Sequence, residues 1–260
     1  MIQLLIVAIA SFLAAAVNAV AGGGTFMTFP ALTGVLGLND KVANMTSTIG
    51  LWPGSAASIY PALSDFKLLP KGMLILYSII SIAGGILGAT LLKTTSLTSF
   101  KLVIPWLLLL ATLIFAFSKP IARWAGRGHG HEHRSLSWTL GVGVIQFMVA
   151  VYGGYFGAGI GVLMLAGLSF VGLDNLNQIN ALKVLLSTLI NGVASIIFLL
   201  SRQPDARVDW KIATLMMAAS VIGGVVGMAG ARRVKQEYLR AIILLNGASL
   251  TAVYFWKNYR

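Results

Sequence analysis

The sequence predicts an all-α polytopic membrane protein, and three observations carry that prediction. Mean hydropathy is +0.86, only 10% of the 260 residues are charged, and eight long stretches contain no Asp, Glu, Lys or Arg. An ordinary soluble domain carries about 25% charged residues. The charge-free stretches are 1–39, 42–64, 72–92, 102–118, 135–173, 184–201, 212–231 and 241–256. A bilayer's hydrocarbon core is about 30 Å thick and takes about 20 apolar residues of helix to cross. Most stretches therefore suit one helix each. Their apolar runs are continuous, whereas the strands of a membrane barrel alternate between lipid and lumen.

Composition also excludes several classes. The chain has no cysteine, so disulfides, thiolate metal sites and thiol catalysis are absent. A net charge of +12 resides at helix ends and in short loops, which suits interfacial anchoring and the positive-inside rule. No basic domain stands outside the apolar stretches, so nucleic acid is not an expected partner. The N-terminal apolar run ends in AAAVNA but lacks a basic leader region. It is read as the first span rather than as a cleaved signal.

The order of stretch lengths suggests a duplication: 39, 23, 21 and 17 residues, then 39, 18, 20 and 16. Residue matches follow at a slowly drifting offset. Gly22 and Gly24 align with Gly157 and Gly159, Asn44 with Asn180, and Ala57-Ser58-Ile59 with Ala194-Ser195-Ile196. SIAGGILGA at 81–89 aligns with SVIGGVVGM at 220–228. The expected organisation is a first transmembrane repeat over 1–118, a basic histidine-containing linker over 119–134, and a second repeat over 135–260. Duplicated halves with a midplane site at their interface are a recurrent plan of secondary transporters.

Each half opens on its oddest element. A helix of 39 residues would extend about 58 Å, too long for one span and barely enough for two with a turn. GGGTFMTFP at 22–30 and GGYFGAGIG at 153–161 divide these stretches. The predicted pieces are a first helix over 2–21 or 137–155 and a shorter one over 25–38 or 160–172. Lipid cannot satisfy freed backbone groups, so each break must face protein or a water-filled cavity. Glycine lets a ligand approach the backbone, and consecutive amide N–H groups form a concavity for an anion. Gly22, Gly23, Gly24, Thr25, Gly157 and Gly159 are therefore candidate substrate contacts. Gly153, Gly157 and Gly161 also form a GxxxGxxxG ladder that suits plain helix packing. For Gly84/Gly88 and Gly223/Gly227, inside full-length spans, packing is the preferred reading.

A second polar cluster follows each short helix, ANMTST at 43–48 and NALK at 180–183. Asn44, Thr46, Ser47 and Asn180 supply neutral hydrogen-bond groups. Lys183, aligned with Ser47, is one turn into a helix otherwise free of charge. It either snorkels to the interface or faces a cavity between the halves, where ionisable residues mark substrate paths; the second reading is preferred. Gln146, Asn18 and Asn191 either line the same cavity or bridge helices. All seven acids fall outside the predicted span interiors, which favours an anionic substrate over a cation. His129, His131 and His133 in the linker are read as a solvated loop rather than a metal site. No nucleotide loop, dinucleotide fingerprint or serine–histidine–acid set is present, so no cofactor is expected and the protein is not read as an enzyme.

AGGGTFMTFPAL, the following GL, the polar A-N-x-T-S run, and YFGAGIGVLMLAGLSFVGL with INALK in the second half together resemble the sulfite exporter TauE/SafE family. The likeness spans essentially the whole chain. It implies a plasma-membrane permease of two homologous modules that moves sulfite, organosulfonates or related sulfur anions. Thr25 departs from the pattern, where a further glycine is common. The combined expectation is a secondary transporter working by alternating access, the alternatives being a channel-like anion pore or a non-transporting membrane subunit. Its partners are a small anionic substrate and the lipid bilayer; a homo-oligomer is compatible, and the coupling ion is unassigned. Counting each leading stretch as one crossing gives eight segments in parallel halves. Counting it as two gives ten in inverted halves, the preferred version because inversion gives alternating access a structural origin.

Overall fold

The computed structural model describes residues 1–20, 22–127, 136–173, 175–201, 208–230 and 236–259, and every regular element among them is helical. The chain begins with α1 (Ile2–Val20), then α2 (Thr25–Pro30), which runs on as a widened π turn over Ala31–Val35. It continues through α3 (Asp40–Ala57), a 3-10 turn (Tyr60–Ala62), α4 (Leu63–Phe66), α5 (Lys71–Thr94) and α6 (Leu97–Arg127). After the linker come α7 (Leu136–Tyr155), α8 (Ile160–Leu168), α9 (Leu176–Leu199), α10 (Trp210–Gly230) and α11 (Gln236–Tyr259). The linker histidines His129, His131 and His133 lie outside the described residues.

Both long leading stretches break at their glycines. The piece after the first break covers Thr25–Val35 and the piece after the second Ile160–Leu168. At 1.5 Å per residue these reach only about 16 Å and about 14 Å, far short of the hydrocarbon thickness. Pro30 shapes the first of them. It has no N–H to donate and its ring crowds the preceding turn. The ladder widens just beyond it, with Leu36 N–H donating to Ala31 O at 3.3 Å. Side-chain caps then restart the chain: Asn39 Oδ1 accepts from Val42 N at 2.9 Å for α3, and Asn175 Oδ1 from Asn177 N at 2.9 Å for α9.

By length and apolarity, α1, α5, α6, α7, α9 and α10 can each cross a bilayer. Of these, α9 is the most enclosed. The N-terminal two-thirds of α3 is sheathed almost completely despite its polar sequence. The main contacts pair helices before the linker with helices after it: α1 on α10, α5 on α7, α3 on α10, α5 on α9, and α6 on α11. Small residues set those crossings. A Cβ on Gly88 would lie 2.0 Å from Val151 O, and one on Gly223 would lie 2.1 Å from Phe12 O. Here the packing reading of both glycine pairs is what the structure has, the close approach driven by van der Waals contact between backbones.

Registers give relative directions. Gly223 meets Phe12 and Gly227 meets Ala16, so α10 runs parallel to α1; Gly50 meets Met216 and Gly54 meets Ser220, so it also runs parallel to α3. Gly84 meets Ala150 and Gly88 meets Tyr155, making α5 parallel to α7. By contrast, α6 and α11 are antiparallel: Asn258 bonds Lys101 O, Trp106 stacks edge-on against Phe255, and Gly247 meets Thr112.

Gly88→Ala is expected to force α5 and α7 apart. The overpacking should cost about 1–3 kcal/mol, read as a lower thermal midpoint of the detergent-solubilised protein. Gly72→Ala, at a position with nothing within 4 Å of the added carbon, should leave the midpoint unchanged or raise it.

Candidate functional site

A helix that stops inside a protein leaves its last carbonyls without partners in the next turn. At the end of α1 these carbonyls are taken from across the molecule. Lys183 Nζ donates to Asn18 O at 2.8 Å and to Ala19 O at 3.2 Å, and Asn180 Nδ2 donates to Ala19 O at 3.2 Å. Lys183 is 1% exposed, so the snorkelling reading fails: the aliphatic stem does not lead the ammonium out to an interface. A cation at this position also opposes the negative end of the α1 dipole.

Asn18 secures the break itself. While its carbonyl receives Lys183, its Oδ1 accepts the Gly24 N–H at 2.7 Å, tying the first turn of α2 back to α1. Gly22 between them has φ +75°, and a Cβ there would lie 2.5 Å from the backbone of Gly161 and Val162. The two breaks thus meet backbone against backbone. Only glycine on both sides allows that distance. Lys183 closes the same contact, its Cδ lying 3.5 Å from where a Gly161 side chain would begin.

The second break is built in a related way. Asn44 Nδ2 donates to Tyr155 O, the last carbonyl of α7, at 3.0 Å, as Asn180 does for α1. Gly157 and Gly159 have φ of +73° and +75°, and Tyr152 OH donates across the turn to Ala158 O at 2.6 Å. Aromatic rings pack the surrounding space: Gly159 faces the Phe26 ring, and Phe29 and Phe156 meet edge-on with centroids 5.5 Å apart. Ser47 and Thr28 share a buried hydroxyl contact of 2.8 Å. The amide oxygens Asn44 Oδ1 and Asn180 Oδ1 are buried and unpaired, each leaving one acceptor without a protein donor.

Not every predicted contact converges here. Thr46 Oγ1 accepts from Asp209 N at 3.3 Å, which places it at the entry to α10. Gly23 packs on Ile243, Gly24 on the Ala14 carbonyl, and Thr25 is buried. The GxxxGxxxG ladder does not form one helix face, because the chain leaves the helix between Gly153 in α7 and Gly161 in α8. Gln146 is a bridge, its Nε2 donating to Ser81 Oγ at 2.9 Å, whereas Asn18 and Asn191 line a cavity.

That cavity also takes in side chains the sequence reading passed over. It has about 20 Å³ open to a water-sized sphere and is lined by Asn18, Ser55, Ser58, Gly161, Ser187 and Asn191, among others. Such a space holds about one water. The serines belong to α3 and α9 beyond the ANMTST and NALK runs, and spacing alone does not distinguish them from packing residues. A second missed residue is Lys41, 1% exposed, whose Nζ donates to Lys93 O at 3.2 Å and Thr95 O at 2.9 Å at the end of α5. Its neighbour Asp40 accepts from Tyr254 OH at 2.7 Å. Among the described residues, no cluster of three or more His, Cys, Asp or Glu side chains could hold a metal.

The sequence that folds into these broken helices matches a known family. The model of the family described as sulfite exporter TauE/SafE matches residues 7–254. The chain belongs to that family. It is 27% identical over 243 residues to a "Probable membrane transporter protein" of Haemophilus influenzae, covering 93% of this chain and 90% of the relative. No solved structure matches. As a TauE/SafE member with six helices among the described residues able to span a bilayer, the chain is a multi-pass membrane transporter of the permease type, and a bacterial inner membrane is consistent with this.

In this TauE/SafE protein Asn18→Ala removes the acceptor of the Gly24 N–H. A buried donor left unpaired costs about 1–3 kcal/mol, so a clearly lowered thermal midpoint is expected. Asn191→Ala, on the far side of the cavity and outside these bonds, should stay near the unsubstituted protein.

Proposed function

We propose that the chain is a secondary transporter of small sulfur-containing anions, such as sulfite or organosulfonates, working by alternating access between two halves. The observation that carries this reading is the contact of the two breaks, Gly22 on Gly161, beside the buried ammonium of Lys183. An ammonium has three N–H donors, and two of those of Lys183 go to Asn18 O and Ala19 O. The third is left for an anion. The serine and asparagine groups of the adjoining cavity would complete its shell. Family membership supports the sulfur-anion class, and among the described residues the one buried acid, Asp40, accepts from Tyr254 OH rather than from either break.

The cavity's size supports alternating access. About 20 Å³ does not admit a four-atom oxyanion, so the substrate enters only when helices on one side separate. The directions of α6 and α11 support an inverted relation between 1–118 and 135–260. These helices occupy matching places in the two stretches, yet they run antiparallel. A two-fold axis in the membrane plane produces that, whereas an axis along the normal would make them parallel. Paired capping of α1 by Asn180 and of α7 by Asn44 is what the same axis requires. Opening one cap while the other holds gives each side its own gate.

In proteoliposomes the protein should take up sulfite with saturation, driven by its gradient. Lys183→Ala should lower the initial rate at least about tenfold, the loss of roughly one charge-assisted hydrogen bond to the anion. Its helical circular dichroism serves as the control for folding. Undiminished uptake in this variant would remove Lys183 from the site. A rate that rises linearly with sulfite concentration would replace the transporter with a pore.

A further inference from the structure

The outer pair α6 and α11 carries a basic pocket that the transport site does not use. Where α6 begins and α11 ends, a surface pocket of about 340 Å³ is lined by Leu97, Thr98, Lys101, Leu102, Lys257 and Asn258. Among the described residues the lining holds two ammonium groups and no carboxylate. Its floor is fixed by hydrogen bonds across the helix pair: Asn258 Nδ2 donates to Lys101 O at 2.6 Å and Tyr259 OH to Leu102 O at 3.0 Å.

Two further observations decide what fits there. Trp106 Nε1 donates to Tyr259 OH at 2.8 Å, and both side chains are more than half exposed. Amphipathic aromatics of this kind lie at the headgroup level of a bilayer. Beyond them, Leu102, Val103, Trp106, Leu110 and Leu113 form an exposed apolar stripe along α6, at the spacing of one helix face. An anion confined to water would meet the lysines alone, whereas the exposed stripe of a spanning helix faces acyl chains. A lipid uses both, since basic pockets between spans attract anionic headgroups while the chains lie on the apolar flank.

We propose that the α6–α11 pocket binds the phosphodiester headgroup of an anionic phospholipid, with its acyl chains along the α6 stripe. Lys101 and Lys257 supply the charge, Thr98 and Asn258 flank it with neutral polar groups, and the Trp106–Tyr259 pair sets its depth. This reading is independent of the transported substrate.

The test offers the purified full-length protein palmitoyl-oleoyl-phosphatidylglycerol and the matching phosphatidylcholine in a non-ionic detergent, and counts bound lipids by native mass spectrometry. Phosphatidylglycerol should be retained preferentially. Replacing both lysines, Lys101→Gln with Lys257→Gln, should weaken it about fivefold per lysine without changing phosphatidylcholine; Lys101→Arg with Lys257→Arg should keep the preference. Equal retention of the two lipids by the unsubstituted protein overturns the proposal, as does a preference that survives in the glutamine variant. Glycerophosphoglycerol, the headgroup without chains, should compete poorly. If it binds as tightly as the lipid, the pocket is a site for a free phosphate ester and the lipid assignment falls. Were the glutamine variant not to fold, the comparison of the two lipids and the soluble headgroup on the unsubstituted protein still decides the matter.

Discussion

Broken helices inside a bilayer impose one constraint above others: the carbonyls and amides they free must be satisfied within the protein. Here that satisfaction comes from the opposite end of the chain. Asn180 and Lys183 on α9 take the last carbonyls of α1, and Asn44 on α3 takes the last carbonyl of α7. Neither break can exist unless the rest of the molecule has already wrapped around it. The crossed pairs α1 on α10 and α5 on α7 follow from the same requirement, since each leading helix must be delivered to the capping groups of the other stretch.

The breaks touch because glycine stands on both sides of the contact, and the consequences reach the chemistry. With no Cβ at Gly22 or Gly161, backbone approaches backbone and little space remains. What does remain is lined on one part by amides and serine hydroxyls and on the rest by Ala19, Ile160 and Val184. The ammonium of Lys183 is held by carbonyls rather than by a carboxylate, so its positive charge is screened by dipoles but not cancelled.

Membership in the TauE/SafE family and the geometry bear on different levels of description. Family and relative make the chain a membrane permease. The contact of the breaks, the size of the cavity and the antiparallel course of α6 and α11 bear on how such a permease works. At the periphery the same α6 and α11 carry the basic, aromatic pocket. The proposed lipid site and the breaks are joined through α6, which packs inward on α8 and α3.

Much of the fold was legible in the sequence because its signals are local. Charge-free stretches set the helices, and the glycine runs set the breaks to within a residue or two, since apolar length and backbone freedom are properties of a short segment. Lys183, Asn44 and Asn180 were legible as polar residues in apolar surroundings, which burial makes conspicuous. Their partners were not. Nothing near Lys183 in the chain indicates the carbonyls of Asn18 and Ala19, 165 and 164 residues away. Thr46 likewise reads as part of the same polar run as Asn44, yet helix rotation turns it toward Asp209. Nothing near Lys41 in the chain indicates that α5 ends over it, with Lys93 O accepting from its Nζ. By itself the sequence determined a broken, helical membrane protein with a lysine near the start of an otherwise charge-free helix. Only the tertiary structure decided that the two breaks meet and which backbone groups hold that cation, because hydrogen-bond partners follow from how helices pack, and packing is decided over the whole chain at once.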